Sequence, residues 1–253
     1  MPRFKVGVQL HPQATTMESL RAAAREFDAM GVDSLWTWDH FYPLYGDEDA
    51  AHFEGWTTLT AIACDTTNAM VGHLVACSSY RNPDLHADMA RTLDHISNGR
   101  AYFGIGAGWF ERDYAEYGYE FGTAGDRLRA FEVALGRIRA RLDALTPGAV
   151  GDLPLLIGGA GPKVTLRLVA TYADAWNTFG PPDNFAAKSA ILDEWCDKVD
   201  RDPATIERTV GISPKDIDTV DDLLEAGASH VILMHGHPFD AAPVERLLEM
   251  AQN

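Results

Sequence analysis

Short apolar runs alternate with helix-patterned segments eight times, at about 30 residues per unit, and this predicts a single (β/α)8 barrel. Two further observations point the same way. A chain of 253 residues suits one complete α/β barrel and can bury a large core without staples. No glycine fingerprint follows the first strand-like run, which argues against the rival open, doubly wound sheet. The expected organisation is one compact domain over residues 1–253, without linker or low-complexity tract.

The units follow in order. Phe4–Leu10 reads as a strand, and Met17, Leu20, Ala24, Phe27 and Met30 recur at helical spacing behind it. Thr15-Thr16-Met17-Glu18 offers a capping box and Gly31 a stop. The second unit is the strand Asp33–Trp38 and a helix near Trp56–Thr66. The third is the strand Met70–Ala76 and a helix opened by Asn82-Pro83, where proline's fixed φ and missing donor fit the first turn, and ended by Gly99. Ala101–Ile105 precedes a helix carrying Leu128, Phe131, Leu135, Ile138 and Leu142, with Trp109 to Tyr119 read as an aromatic loop. Leu155–Ile157 precedes a helix from Pro162 to Tyr172, and Asp174–Asn177 one over Phe185–Val199. Ile206–Ile212 with Val220–Ala226, then Val231–Met234 with Val244–Met250, complete the count.

The bulk numbers narrow the function. A net charge of −16 disfavours nucleic acid, which needs a basic face, so a small-molecule substrate is expected. Cys64, Cys77 and Cys196 form no CxxC pair, which favours a reducing compartment over disulfides. With no long apolar segment, the expectation is a cytoplasmic protein without membrane contact.

In such barrels the reactive groups follow the strands at their carboxyl ends. His40, after the second strand between Asp39 and Phe41, is a residue type that can donate or accept a proton near neutral pH; a satisfied structural histidine is the other reading. Gly158-Gly159-Ala160-Gly161 leads from a strand toward a helix and could expose amides to a phosphate, with Lys163 and Arg167 adding charge. A tight turn needing positive φ explains it equally. Gly106-Ala107-Gly108 could admit a flat ring or mark a bulge. Trp109, Phe110, Tyr114, Tyr117 and Tyr119 could wall a flat ligand or pack their loop onto the barrel. His73, His86 and His95 read as structural. His235-Gly236-His237 with His11 and His40 suggests a metal hydrolase in residue type, but no HxH follows the first strand, and no Lys, His or Asp set follows strands four to six; no metal is expected.

Trp38-Asp39-His40-Phe41, Tyr80-Arg81-Asn82-Pro83, Leu93 to Arg100, Gly104 to Glu111, Leu156 to Pro162 and Tyr172 to Thr178 occur in this order over roughly the first 180 residues. In them the chain resembles the bacterial luciferase-like family, in its branch of coenzyme F420-dependent (deazaflavin) oxidoreductases. The resemblance implies a TIM barrel with F420, or alternatively FMN, in its mouth, and an oxidoreductase moving a hydride to or from a small organic substrate. It implies Asp39 and His40 beside the reactive ring, with His40 handling the proton. It implies a non-prolyl cis peptide near His73-Leu74, with Leu74, Val75 and Ala76 against the cofactor. Ala107 and Gly108 would contact it, Gly158, Gly159, Ala160 and Gly161 would cradle its phosphate, and Asn177 and Thr178 would line the pocket. Family habit implies a homodimer.

The chain departs from the family pattern in its short Thr146–Leu153 connection, in the abbreviated region after the sixth helix, and in Trp109, where some members carry a glutamate. Glu111 nearby has no assigned role. Asp39-His40-Phe41 and Gly108 to Glu111 favour the deazaflavin. An FMN-dependent monooxygenase is the second expectation, and a non-catalytic flavin-binding barrel with shortened loops the third.

Overall fold

Strand side chains, buried on both faces, alternate in direction and so sort into two apolar layers, one inside the barrel and one beneath the helices. The computed structural model describes residues 2–253. Its elements are β1 (Lys5–Leu10), α1 (Met17–Met30), β2 (Ser34–Thr37), α2 (Gly55–Asp65), β3 (Met70–His73), β4 (Ala76–Cys77), α3 (Pro83–Ile96), β5 (Phe103–Gly106), α4 (Glu111–Tyr117) and α5 (Ala124–Ala144). There follow β6 (Leu155–Gly158), α6 (Thr165–Tyr172), β7 (Ala175–Phe179), α7 (Pro182–Lys198), β8 (Glu207–Ile212), α8 (Val220–Glu225), β9 (His230–His235) and α9 (Ala242–Gln252).

All strands pair in parallel, in the order β3-β2-β1-β9-β8-β7-β6-β5-β4. The ends of that order meet, because β3 and β4 are two pieces of one strand interrupted at Leu74-Val75, and a bridge from Val71 to Ala101 joins its first half to the β5 side. The architecture is therefore the expected (β/α)8 barrel. The continuous strand expected over Met70–Ala76 is corrected to two segments.

The interruption has a visible accommodation. A Cβ on Gly106 would come within 2.9 Å of a Val75 methyl, and one on Gly158 within 3.0 Å. Only glycine leaves room there, so β5 and β6 close tightly around the bulged third strand.

Inside the barrel, Trp36, Tyr102, Leu156, Ala175 and Ile232 pack into one cluster that Leu74 tops, beneath the mouth cavity it also lines. Leu35, Val71, Phe103, Leu155, Ile157, Trp176 and Val231 point outward into the layer under the helices. The other end is left for a site.

Local signals were mostly honoured. Asn82 caps α3 by accepting from Asp84 N at 2.9 Å, and Gly31 ends α1 at φ 91°. Three readings are corrected. The α1 cap is Thr16, not Thr15, and accepts from Ser19 N rather than pairing with Glu18. The helix expected from Pro162 begins at Thr165, since residues 162–164 form a turn. The supposed aromatic loop contains α4, with Glu111 and Asp113 in its first turn and Gly118 at φ 71° after its last. Acid at the start and glycine at the stop were both legible there.

Candidate active site

Trp38 and His40 leave the end of β2 on one side of the chain and Asp39 on the other. Trp38 and His40 face a cavity of about 370 Å³ at the carboxyl ends of the strands. Its floor is the bulge, Leu74 to Cys77, and one side is Gly106 to Trp109. The opposite side is Gly158, Gly159, Thr165, Asn177, Phe179 and Met234. The peptide between Leu74 and Val75 is cis, one bond beyond the expected His73-Leu74, and Gln9 Nε2 donates to the Leu74 carbonyl at 2.7 Å.

His40 is held by a group that sequence reasoning missed. Its Nδ1 lies 2.7 Å from Oδ2 of Asp113, a carboxylate on α4 with no solvent exposure. The same carboxylate accepts from Tyr80 Oη at 2.8 Å and from Phe41 N at 3.1 Å. Burial, then the neighbouring Cys77 and Asp113, push the Tyr80 hydroxyl far up, so it remains a donor. With both Asp113 oxygens accepting, the hydrogen of neutral His40 sits on Nδ1, and Nε2 is left for the cavity. The ring edges of Trp109 and Phe110 close over His40, with centroids at 5.7 and 5.5 Å.

Asp39 does something else. Burial alone would raise its carboxyl, but the bidentate Arg81 guanidinium, at 2.6 and 2.9 Å, outweighs that and holds it below the usual carboxylate range. It also accepts from Cys77 N at 3.1 Å, tying β2 to β4. Its side chain does not line the cavity; it stands behind the wall in an ion pair with Arg81.

The remaining expected residues divide by strand alternation. Leu74, Val75, Ala76, Ala107, Gly108, Gly158, Gly159 and Asn177 line the cavity with His40. Thr178 does not; on β7 residues 177 and 179 reach the cavity and 178, between them, is buried in the other direction. Ala160 and Gly161 lie beyond the cavity wall on the turn before α6. Gly159 N donates to Asn177 O and is not free for a ligand. Arg167 pairs with Glu132 at 2.7 Å, leaving Lys163 exposed as the basic group of this turn. Glu111 is exposed and off the cavity, and of the aromatic residues Trp109 lines it while Tyr114 packs with Cys77 and Tyr80.

His235 Nε2 lies 2.7 Å from Asp240 O, and His237 Nδ1 lies 3.4 Å from Thr15 Oγ1. Among the described residues, no three His, Cys, Asp or Glu side chains are grouped to hold a metal ion. No helix among them is long and apolar enough to cross a membrane.

The residues fit a flat ring with an anionic tail. Gly106 and Gly158 leave space around the Val75 methyls that line the slot, while Gly108 lets the wall pack on Tyr114, whose hydroxyl would lie 1.9 Å from a Cβ there. Asn177 Oδ1 accepts from Thr209 at 2.7 Å, which leaves its amide N–H groups for the cavity. The Thr165 hydroxyl lies against Gly161, 2.8 Å from where a Cβ would stand, at the start of α6, and the positive end of a helix dipole suits an anion.

A barrel with a side-chain-poor slot at its carboxyl mouth and one clamped imidazole on the rim defines a class of ligand-binding α/β barrels. The chain belongs to the luciferase-like monooxygenase family, whose model matches residues 3–249. It is 30% identical over 260 aligned residues to a phthiodiolone/phenolphthiodiolone dimycocerosates ketoreductase of Mycobacterium bovis, covering 86% of this chain and 66% of that relative. Its fold matches that of an F420-dependent secondary alcohol dehydrogenase solved with an F420-acetone adduct, at TM-score 0.88 and 16% identity over 99% of this chain and 100% of the other. A monooxygenase from Streptomyces bottropensis matches at TM-score 0.77 and 14% identity over 98% of each chain.

Proposed function

We propose that the protein is an oxidoreductase that moves a hydride between coenzyme F420 and a ketone or secondary alcohol. The observation that carries this reading is His40, clamped by Asp113 at 2.7 Å so that Nε2 meets a flat, side-chain-poor slot. The ketoreductase and the alcohol dehydrogenase among the similar proteins support the substrate class.

A bound deazaflavin supplies or accepts the hydride. Everything else is the work of this chain. Val75 and the glycines Gly106 and Gly158 would support the ring face, and Asn177 would donate to its polar edge. The amides of Ala160 and Gly161, the Thr165 hydroxyl and Lys163 would hold the phosphate. In carbonyl reduction His40 would act as the imidazolium, protonated on both nitrogens, giving the Nε2 proton to the carbonyl oxygen and keeping the Nδ1–H on Asp113; in oxidation the neutral ring would take the alcohol proton on its free Nε2. Trp109 and Phe110, set edge-on against the imidazole, would shield it from solvent once the slot is filled. Asp113 is a positioning residue that sets which nitrogen faces the substrate.

A second reading, an FMN-dependent monooxygenase, is favoured by the Streptomyces neighbour. Trp38 and Trp109 line the cavity, so tryptophan quenching reports on either cofactor. The expected result is tighter binding of F420; tighter FMN binding overturns the cofactor choice. His40→Ala is expected to lower turnover on the order of 10²–10⁴-fold with an unchanged circular-dichroism spectrum. Undiminished turnover removes the proton role, and wild-type protein that binds cofactor without turning over any ketone or alcohol returns the non-catalytic reading.

We further propose a homodimer formed through the groove between α2 and α3, where Leu85 and Ile96 are exposed beside Met89. A cytoplasmic location agrees with three free thiols.

A further inference from the structure

Beside the slot lies a second cavity of about 400 Å³, between the ends of β7 and β8 and the turn that precedes α8. The two share Tyr45, Phe179 and Met234 as a common wall. Ile212, Leu223 and Pro182 make the second cavity largely apolar, and Thr219 is part of its wall. Its one charged wall residue is Asp216, whose Oδ2 already accepts the Ser213 hydroxyl at 2.5 Å. An anionic ligand would meet that carboxylate, whereas a hydrocarbon would meet apolar side chains.

The slot is small for what it has to hold. Ligand pockets commonly hold ~300–1,000 Å³, and the slot, at about 370 Å³, is near the lower end. A flat three-ring system takes up much of that space, leaving room beside His40 for a reacting carbon and little more. The cofactor's tail leaves toward Gly161 and Thr165. The bulk of any larger substrate has to leave by another side, and the side bounded by Phe179, a wall shared with the second cavity, is the passage it would take. Phe179 is 53% exposed, unusual for a phenylalanine at an inward strand position. Its ring rests over Gly211, where a Cβ would come within 2.8 Å of Cε1, so the absence of a side chain on β8 lets the ring lie back from the passage.

We propose that this second chamber binds the apolar, non-reacting arm of the substrate, with Phe179, Gly211 and Thr219 as its specificity determinants. The inference rests on the carbonyl-reduction reading for its substrate class and on the wall shared by the two adjoining cavities for its place. The substrates it selects are ketones or secondary alcohols carrying an aliphatic chain, in preference to short or anionic ones.

Methyl ketones from propan-2-one to decan-2-one, assayed with reduced F420, test it. For the wild type, kcat/KM is expected to rise roughly three- to fourfold per added methylene until the chamber is filled. Thr219→Trp fills the chamber from its rim, and Gly211→Val pushes the Phe179 ring into the passage. Each should cut the decan-2-one to propan-2-one ratio at least tenfold, with circular dichroism verifying the fold. A ratio unchanged in both folded variants, or no rise in the wild type, overturns the proposal. Calorimetric binding of decan-2-one to the F420-loaded protein separates the two readings. Binding that Thr219→Trp weakens tenfold, without turnover of any ketone, keeps the chamber and removes the hydride reading. Turnover of propan-2-one without decan-2-one binding does the reverse.

Discussion

The two halves of the barrel mouth are built on opposite plans. From β2 to β5 the polar side chains are locked into one another: Arg81 to Asp39 and Glu54, His40 and Tyr80 to Asp113, Trp38 Nε1 to His52 Nε2 at 2.9 Å. Gln13 adds a clamp on the wall residues Leu44 and Tyr45, accepting from Leu44 N and donating to Tyr45 O at 2.7 Å. From β6 to β9 the wall around Phe179 and Met234 is mostly glycine, proline and aliphatic side chains, and its polar members bond close to home: Thr209 to Asn177 on the neighbouring strand, Ser213 to Asp216 within one turn. A proton-transfer group has to be held to a fraction of an ångström, which takes satisfied partners on every side. A recognition surface for apolar groups needs shape alone, and tolerates loose side chains. The difference separates where chemistry is fixed from where substrates are sorted.

The contrast breaks if the two halves respond alike to truncation. Arg81→Met leaves the Asp39 carboxylate buried without its partner and should cost about 3–5 kcal/mol in denaturant unfolding. Phe179→Ala, in the open half, should cost less than about 1 kcal/mol because its ring is half in solvent already. Equal losses would mean that the open half is held as firmly as the clamped one.

A smaller effect sharpens the role of the clamp. Asp113→Asn is expected to lower kcat by tenfold to a hundredfold, part of the ~10²–10⁴ carried by a positioned acid–base group, while KM holds. The pH–rate profile should be displaced as well, since the partner of Nδ1 no longer carries charge. A uniform loss with an unmoved profile would reduce Asp113 to a packing residue.

The smallest effect concerns acid stability. Burial, then the nearby His40, lower His52 to about 4, and burial, then His235, lower His11 to about 4. An unfolded histidine near 6.5 binds protons that these two refuse, so stability is full above pH 6.5 and declines toward pH 4. His52→Gln keeps an acceptor for Trp38 and should flatten that decline by less than about 1.4 kcal/mol per pH unit. Urea midpoints between pH 7 and 4.5 read the slope; an identical slope in the variant would assign the acid sensitivity elsewhere.

Much of the fold was legible because it is local. Hydrophobic period, the Asn82 cap and Gly31 each act over a few residues, and they located the units to within a few positions. The site was legible in part. His40, the Val75 region, Gly106 to Gly108 and Gly158-Gly159 do meet in one cavity, as barrel geometry demands of residues that follow strands. Thr178 and Asp39 stand off the cavity wall by one step of alternation, the first on β7 beside Phe179 and the second just past β2, where it meets Arg81.

What the chain determined by itself was the order of strands and helices, and hence which loops share the mouth of the barrel. What only the tertiary structure decided was partnership. Asp113 lies 73 positions from His40, and Tyr80 reaches the same carboxylate from a third loop. No periodicity records such pairs, because a hydrogen bond depends on distances set by the closure of the whole barrel. The second chamber arises the same way, from the missing side chain of Gly211 beneath a phenylalanine of the neighbouring strand.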